Sequence, residues 1–115
     1  MPSTIVTYEV RDDSDVSINV GAGNGQPEGS SVMLGTTQIA SGSGLTEVPV
    51  GLGSELRNKK LVVVTVVRNL NPAAGNRTNQ FVEIVGGPLP KDVDQSQLAS
   101  AFGEEVTFVT IVTFI

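Results

Sequence analysis

Short segments in which apolar and polar residues alternate are the feature that most constrains how this chain folds. In residues 5–11, polar residues separate Val6, Tyr8 and Val10, and residues 15–20 repeat the pattern. A period of two places the apolar side chains on one face of a β-strand. Further strand-sized segments occupy residues 31–34, 37–40, 45–50, 61–67, 81–85 and 105–115. The sequence therefore predicts an all-β protein.

Segments rich in Gly, Asn, Pro and Ser separate these strands. Residues 21–30, 41–44 and 69–79 are of this kind and predict exposed loops. Gly35 and Thr36 predict a tight hairpin, because Gly supplies the positive φ that such a turn needs.

Two further connections are predicted in the same way. Residues 61–67 and 81–85 are expected to pair as a hairpin around the long turn between them. Pro49 interrupts residues 45–50, and because Pro cannot donate to a ladder of hydrogen bonds, we expect that strand at the edge of a sheet.

This layout of strands and turns favours a single-domain antiparallel β-sandwich over residues 1–115, with a small β-barrel as the alternative. The order of the turns resembles an immunoglobulin-like sandwich, in which a long hairpin late in the chain follows a shorter pair of strands. The Cys…Trp…Cys signature of that family is absent, since the chain has no Cys and no Trp, and no family is recognised.

Residues 86–115 are predicted to be a C-terminal extension that ends in a long apolar strand. Residues 94–102 within it predict one short helix, because Leu98 and Phe102 lie four residues apart on one face and Gly103 can end it.

Two strands do not alternate. Residues 61–67 and 106–115 are apolar at both odd and even positions, whereas one face of a sandwich strand normally meets water. Either the segment 86–103 covers the second face or another subunit does. An open apolar strand would be an aggregation hazard, and the largely polar segment is a thin cover. We therefore expect a homo-oligomer interface formed by Leu61, Val63, Val67, Val109, Ile111 and Ile115.

The residues that most enzyme mechanisms need are missing. The chain has no His, which removes the usual general base and the commonest transition-metal ligand. It has no Cys, which removes disulfides, thiolate catalysis and cysteine-bound metals. We predict that the protein is not an enzyme and uses no cofactor.

Two motifs have the composition of ligand-binding sites, but neither has the spacing that a known site requires. Residues 21–25 read GAGNG, but the last glycine of a dinucleotide fingerprint would fall at Gln26, and Pro27 follows instead of a helix. Asp12, Asp13 and Asp15 could contribute oxygen ligands to calcium, yet they lack the spacing of an EF-hand loop, and Asp is common in turns.

Charge is distributed unevenly along the sequence. Residues 1–56 carry seven acids and one base, residues 57–91 carry one acid and six bases, and residues 92–115 carry four acids and no base. The oppositely charged segments are expected either to lie side by side in one chain or to meet between copies. The net charge of −5 makes nucleic acid an unlikely class of partner.

The sequence also predicts where the protein acts. Its first residues lack the cationic and apolar regions of a signal peptide, and no apolar run is long enough to span a membrane. We expect the cytoplasm or an assembled particle, with no membrane partner.

The predicted function is that of a non-catalytic structural protein. It would self-associate or dock on other protein subunits through its apolar strands, as in a viral, phage-like or secretion particle. The alternative is a small ligand- or carbohydrate-binding module that uses the loops at residues 21–30, 41–44 and 69–79.

Overall fold

A computed structural model describes all 115 residues and contains nine β-strands and two short helical turns. The strands are β1 (Ser3–Tyr8), β2 (Asp15–Gly21), β3 (Glu28–Leu34), β4 (Thr37–Gly42), β5 (Leu45–Leu52), β6 (Lys60–Arg68), β7 (Arg77–Val85), β8 (Lys91–Leu98) and β9 (Glu105–Phe114). The helical turns are α1 (Gly53–Leu56) and a 3₁₀ turn at Pro72–Ala74. The predicted all-β class is confirmed.

The strands form two sheets that pack face to face. Sheet A has five strands in the order β1-β9-β6-β3-β4, and sheet B has four in the order β5-β2-β7-β8. Neither sheet closes on itself, so the protein is the predicted sandwich and not the barrel. All neighbours are antiparallel except β1 and β9, which run parallel. β1 leads directly into β2 of the opposite sheet, so it forms no hairpin within sheet A. Its partner β9 is the last strand of the chain.

The direction of the strands sorts the loops to two ends of the sandwich. Residues 22–27, 43–44, 69–76 and 99–104 all lie at one end, which we call the loop end. All three loops of the predicted binding module therefore reach the same end, together with the fourth loop at 99–104.

The helix predicted at residues 94–102 is wrong. Residues 91–98 form β8, which pairs with β7 from Lys91 opposite Ile84 to Leu98 opposite Arg77. Within β8, the buried Val93 lies between the exposed Asp92 and Asp94, which is the alternation expected of a strand. Cross-strand pairing outweighs a helix of two turns, which is too short to be stable by itself.

The predicted hairpin of residues 61–67 with 81–85 is also wrong. β6 lies inside sheet A between β9 and β3, so both of its edges are occupied, and the long turn carries the chain across to β7 in sheet B. Residues 86–115, predicted as a C-terminal extension, contribute β8 at the edge of sheet B and β9 between β1 and β6 in sheet A.

Two local predictions are confirmed. β3 and β4 form the hairpin predicted around Gly35, whose φ is 60°. β5 lies at the edge of sheet B, with Pro49 opposite Ser17 of β2.

The core lies between the sheets and is divided by a polar layer. One cluster of 16 buried apolar residues includes Phe114 and Ile18, and a cluster of four lies toward the loop end around Phe108. Between them, the Gln80 amide of sheet B donates to Thr65 Oγ1 (2.8 Å), and Gln80 Oε1 accepts from Thr110 Oγ1 (2.6 Å). No buried side-chain polar atom lacks a hydrogen-bond partner. This layer fixes how the two sheets sit on one another.

At the end of the sandwich opposite the loop end, a buried tyrosine connects β1 to the segment between β7 and β8. The Tyr8 hydroxyl accepts from the Gly87 amide (2.8 Å) and donates to the Leu89 carbonyl (2.9 Å). Gly86 has a φ of 113°, and a Cβ there would lie 2.1 Å from the Asp15 carbonyl oxygen. Only glycine fits so close an approach of two backbones.

Candidate functional site

The two faces of β6 have different environments. Leu61, Val63 and Val67 are each 0% exposed, and they pack between the sheets. These three residues belong to the core of the single chain, which corrects their predicted place in a subunit interface. Residue parity alone could not tell which face of an all-apolar strand points inward.

The outer face of β6 carries the residues that remain available to a partner. Val62, Val64 and Val66 are half-buried, and they alternate with the core residues. The register pairs Val62 with Ile111 and Val64 with Val109 on β9. Two predicted interface residues, Val109 and Ile111, are thus brought together here. The third residue predicted on that strand, Ile115, lies beyond the end of β9 and is 51% exposed.

Neighbouring strands extend this surface on both sides. Ile5 of β1 lies opposite Ile111 and is 72% exposed, and Met33 of β3 lies opposite Val62. We call the resulting surface the apolar face: Ile5, Met33, Val62, Val64, Val66, Val109 and Ile111. The signal that could have found its full extent is the pairing order of the strands, which the sequence does not show.

Charges occur only at the two ends of the apolar face. Lys60 and Thr113 are paired at one end, and Arg68 and Glu105 form a salt bridge at the other. The centre carries no ionisable side chain. Such a surface can bury area against another protein without leaving an unpaired charge.

The two salt bridges join segments of opposite charge within one chain. Arg68 and Glu105 connect the basic segment to the acidic C-terminal one, and Arg57 is bonded to Asp12 of the acidic N-terminal segment. This agrees with the expectation that the segments lie side by side. Each pair is exposed, so its contribution to the free energy of unfolding is small.

A network of amides holds the loop end together. Gln26 Oε1 accepts from the amides of Leu70 (2.8 Å) and Asn71 (2.9 Å), and its Nε2 donates to Asn69 Oδ1 (3.0 Å) and to the Arg77 carbonyl (3.1 Å). Gln26 is 6% exposed. The Gly- and Asn-rich loops are therefore fixed to one another, and Gln26 acts as a structural residue in the place where a dinucleotide fingerprint fails.

The loop end carries three exposed apolar side chains that sequence reasoning did not assign to it. Leu70, Leu98 and Phe102 are 42%, 67% and 64% exposed. Leu98 also borders an open cavity of about 400 Å³ with Asn24 among its lining residues. The wrong helix over residues 94–102 placed Leu98 and Phe102 on one helix face and so did not assign them to the loop end.

The acidic residues considered as calcium ligands lie at the surface. Asp12, Asp13 and Asp15 are exposed in and beside the turn before β2, and no group of three His, Cys, Asp or Glu side chains is placed to hold an ion. The exposed carboxylate of Glu104 accepts from the Ser100 hydroxyl and amide, which lowers its pKa below the ordinary value. This contact lies within the single loop 99–104.

None of the helices is both long and apolar enough to cross a lipid bilayer. Comparison with protein-family models, with curated proteins and with solved structures gives no match to this chain.

Proposed function

We propose that this protein is a non-catalytic structural subunit that self-associates through the apolar face. The observation that carries the proposal is the continuous row Ile5, Ile111, Val62, Met33 across four strands of sheet A. The side chains of this row are apolar in all four strands, although a solvated sandwich face is normally polar. Association removes this surface from water.

The outer face of sheet B supports the proposal by contrast. There Phe81 lies opposite Asp94, and Glu83 lies opposite Asp92. Glu83 also accepts a hydrogen bond from the Asn19 amide (2.7 Å). The centre of the outer face is therefore polar in sheet B and apolar in sheet A, which is what an interface on sheet A requires.

The lack of catalytic groups supports a non-catalytic role. The pKa of Glu104 is lowered, and the cause is a local contact with Ser100 at the surface. Active sites usually bring together groups whose pKa values are displaced by burial or by neighbouring charges. Glu104 lines none of the cavities of this chain.

Sedimentation equilibrium of the whole chain over roughly 1–500 µM tests self-association, since interfaces of modest size bind in the micromolar range. We expect a mass above that of the 12.0 kDa monomer. Val64→Lys should weaken association at least 100-fold, because it buries an unpaired charge. A matched substitution on the outer face of sheet B, Ser96→Lys, should leave association unchanged.

A wild-type chain that remains a monomer throughout this range would overturn the proposal. Equal loss of association in Val64→Lys and Ser96→Lys would also overturn it, because the apolar face would then not be the contact. Circular dichroism and thermal unfolding of both variants check that each is folded.

The larger context of a viral, phage-like or secretion particle is part of the proposal. A particle needs a second contact in addition to the apolar face, and Leu70, Leu98 and Phe102 at the loop end are suitable. Species larger than a dimer that dissociate on Phe102→Ser would support this role. A dimer that is unchanged by Phe102→Ser at every concentration would count against it.

A second candidate function is the binding of a small ligand or carbohydrate at the loop end. The exposed Phe102 favours it, since aromatic side chains stack on sugars and other flat ligands. Backbone amide shifts of the ¹⁵N-labelled chain, titrated with a panel of oligosaccharides, test it. Saturable shifts confined to residues 22–27, 69–76 and 99–104, and lost in Phe102→Ala, would establish this function.

A further inference from the structure

The apolar face is symmetric in chemistry about the seam between β6 and β9. Moving outward from that seam along one row, Ile111 is matched by Val62, and Ile5 is matched by Met33. Residues at equal distance from the seam are therefore of the same type.

The neighbouring row repeats this symmetry. Val109 is matched by Val64 across the seam, and Ser3 is matched by Ser31. A surface that binds a second copy of itself about a two-fold axis along the seam needs this property. Each residue of one copy then contacts the residue that lies at the same distance on the other side of the seam in the second copy.

We propose that two copies of this chain dimerise with a two-fold axis that lies along the seam, parallel to the strands. β6 of one copy then covers β9 of the other, so that Val64 meets Val109, Val62 meets Ile111 and Ile5 meets Met33. The inference rests on the proposed function and adds the identity of the partner and its orientation.

The charges at the end of the apolar face select this axis. Arg68 and Glu105 lie across the seam from each other and form a salt bridge within the chain. With the axis along the seam, each also meets its opposite charge in the partner. A two-fold axis across the strands would instead bring Lys60 of one copy over Arg68 of the other, and like charges repel.

The area available fits a dimer that exchanges with its monomer. Nine residues of strand at about 3.3 Å each and four strands at about 4.8 Å spacing give a face of roughly 30 Å by 19 Å. Two such faces bury about 1,100 Å² together, which is near the lower bound for a specific interface. A two-fold dimer is also closed, so this contact does not continue into a filament.

The distance between two labels at one end of the apolar face tests the orientation. The chain has no Cys, so Thr113→Cys introduces a unique site for a spin label. With the axis along the seam, the two copies of this position lie about 11 Å apart between backbones, from about 10 Å between sheets and 4.8 Å between strands. With the axis across the strands they lie about 28 Å apart. Short-range dipolar coupling is expected in the full-length dimer.

Each outcome bears on a different statement. A long distance in a protein of dimer mass would overturn the seam axis and leave self-association standing. A monomer mass without coupling would overturn both. A complex of higher mass with a long distance would mean that a different contact holds the copies together, and it too overturns the seam axis.

Charge reversal gives a second, independent test. Arg68→Glu and Glu105→Arg should each dimerise at least tenfold more weakly than the wild type, because like charges then face each other across the seam. Mixing the two variants should recover a heterodimer, since one copy is then acidic and the other basic at this end. A mixture that associates no better than the separate variants would overturn the seam axis, provided that both melt within a few degrees of the wild type.

Discussion

The two outer faces of the sandwich are built from the same kind of strand and differ in what covers them. On sheet A, Val62, Val64 and Val109 form an apolar surface with no partner in the chain. On sheet B, Asn19 and Glu83 occupy equivalent positions and hydrogen-bond to each other. The difference teaches that the core of one chain requires apolar residues only on the inner faces, because a second apolar face adds nothing to that core. The composition of the outer face therefore carries information about function.

The largest expected effect separates the two sides of β6. Leu61→Ala should lower the free energy of unfolding by about 2–5 kcal/mol, because it leaves a cavity between the sheets. Val62→Ala, one residue further on, should lower it by less than about 1 kcal/mol in the monomer. Urea denaturation at low protein concentration measures both. Equal losses would mean that the outer face is covered by the chain itself.

A smaller effect is expected from the polar layer that both sheets share. Gln80→Leu should lower the free energy of unfolding by about 1–3 kcal/mol, because the Thr110 hydroxyl loses its acceptor and the Thr65 hydroxyl loses one of its two partners. The exposed Gln97 is the control, since Gln97→Leu should change stability by no more than about 0.5 kcal/mol. A stabilised Gln80→Leu variant would show that apolar packing can replace the layer.

On the outer face of sheet B, a substitution should affect stability and not association. Asn19 donates to Glu83 and accepts from the Glu47 amide, each at 2.7 Å. Asn19→Ala should therefore cost about 1 kcal/mol of stability, and the sedimentation of the variant should match that of the wild type. A change in association would extend the contact surface to sheet B.

The smallest effect concerns pH. Folding lowers the pKa of Glu104 through its contacts with Ser100, so the charged carboxylate favours the folded state. This contribution is present above the ordinary pKa and is lost as the pH falls through the lowered folded pKa. Glu104→Gln should remove only that part of the acid dependence, measured as the difference in melting temperature between neutral and acidic buffer. An unchanged acid dependence would mean that the contact with Ser100 does not form in solution.

The fold class could be predicted because period-two alternation and Gly-rich turns are local signals. β2, the hairpin around Gly35 and the edge position of β5 all follow from residues close together in sequence. The crossing from β6 to β7 and the strand at residues 91–98 could not be predicted in this way. Both depend on which strand edges are already occupied, and that is a property of the whole sheet.

The candidate surface was only half accessible to sequence reasoning. Apolar residues on both sides of a strand predict that both of its faces are covered, but they do not say which face points into the core. Val109 and Ile111 were assigned to the outer face, whereas Leu61, Val63 and Val67 were not distinguished from their neighbours. Ile5 and Met33 join the surface only through cross-strand register, which the sequence does not show.

The parallel pairing of β1 with β9 has a mechanical consequence. The chain enters β1 at Ser3, opposite Val109 in the middle of β9, and leaves β9 at Phe114, opposite the far end of β1. Tension on the two strands therefore pulls them in opposite directions along their length. Their hydrogen bonds lie across the direction of pull and must break together. A hairpin pulled from its open end would instead lose its bonds one at a time. Stretching this domain from its first and last strands therefore loads it in shear, the direction in which a sheet is strongest.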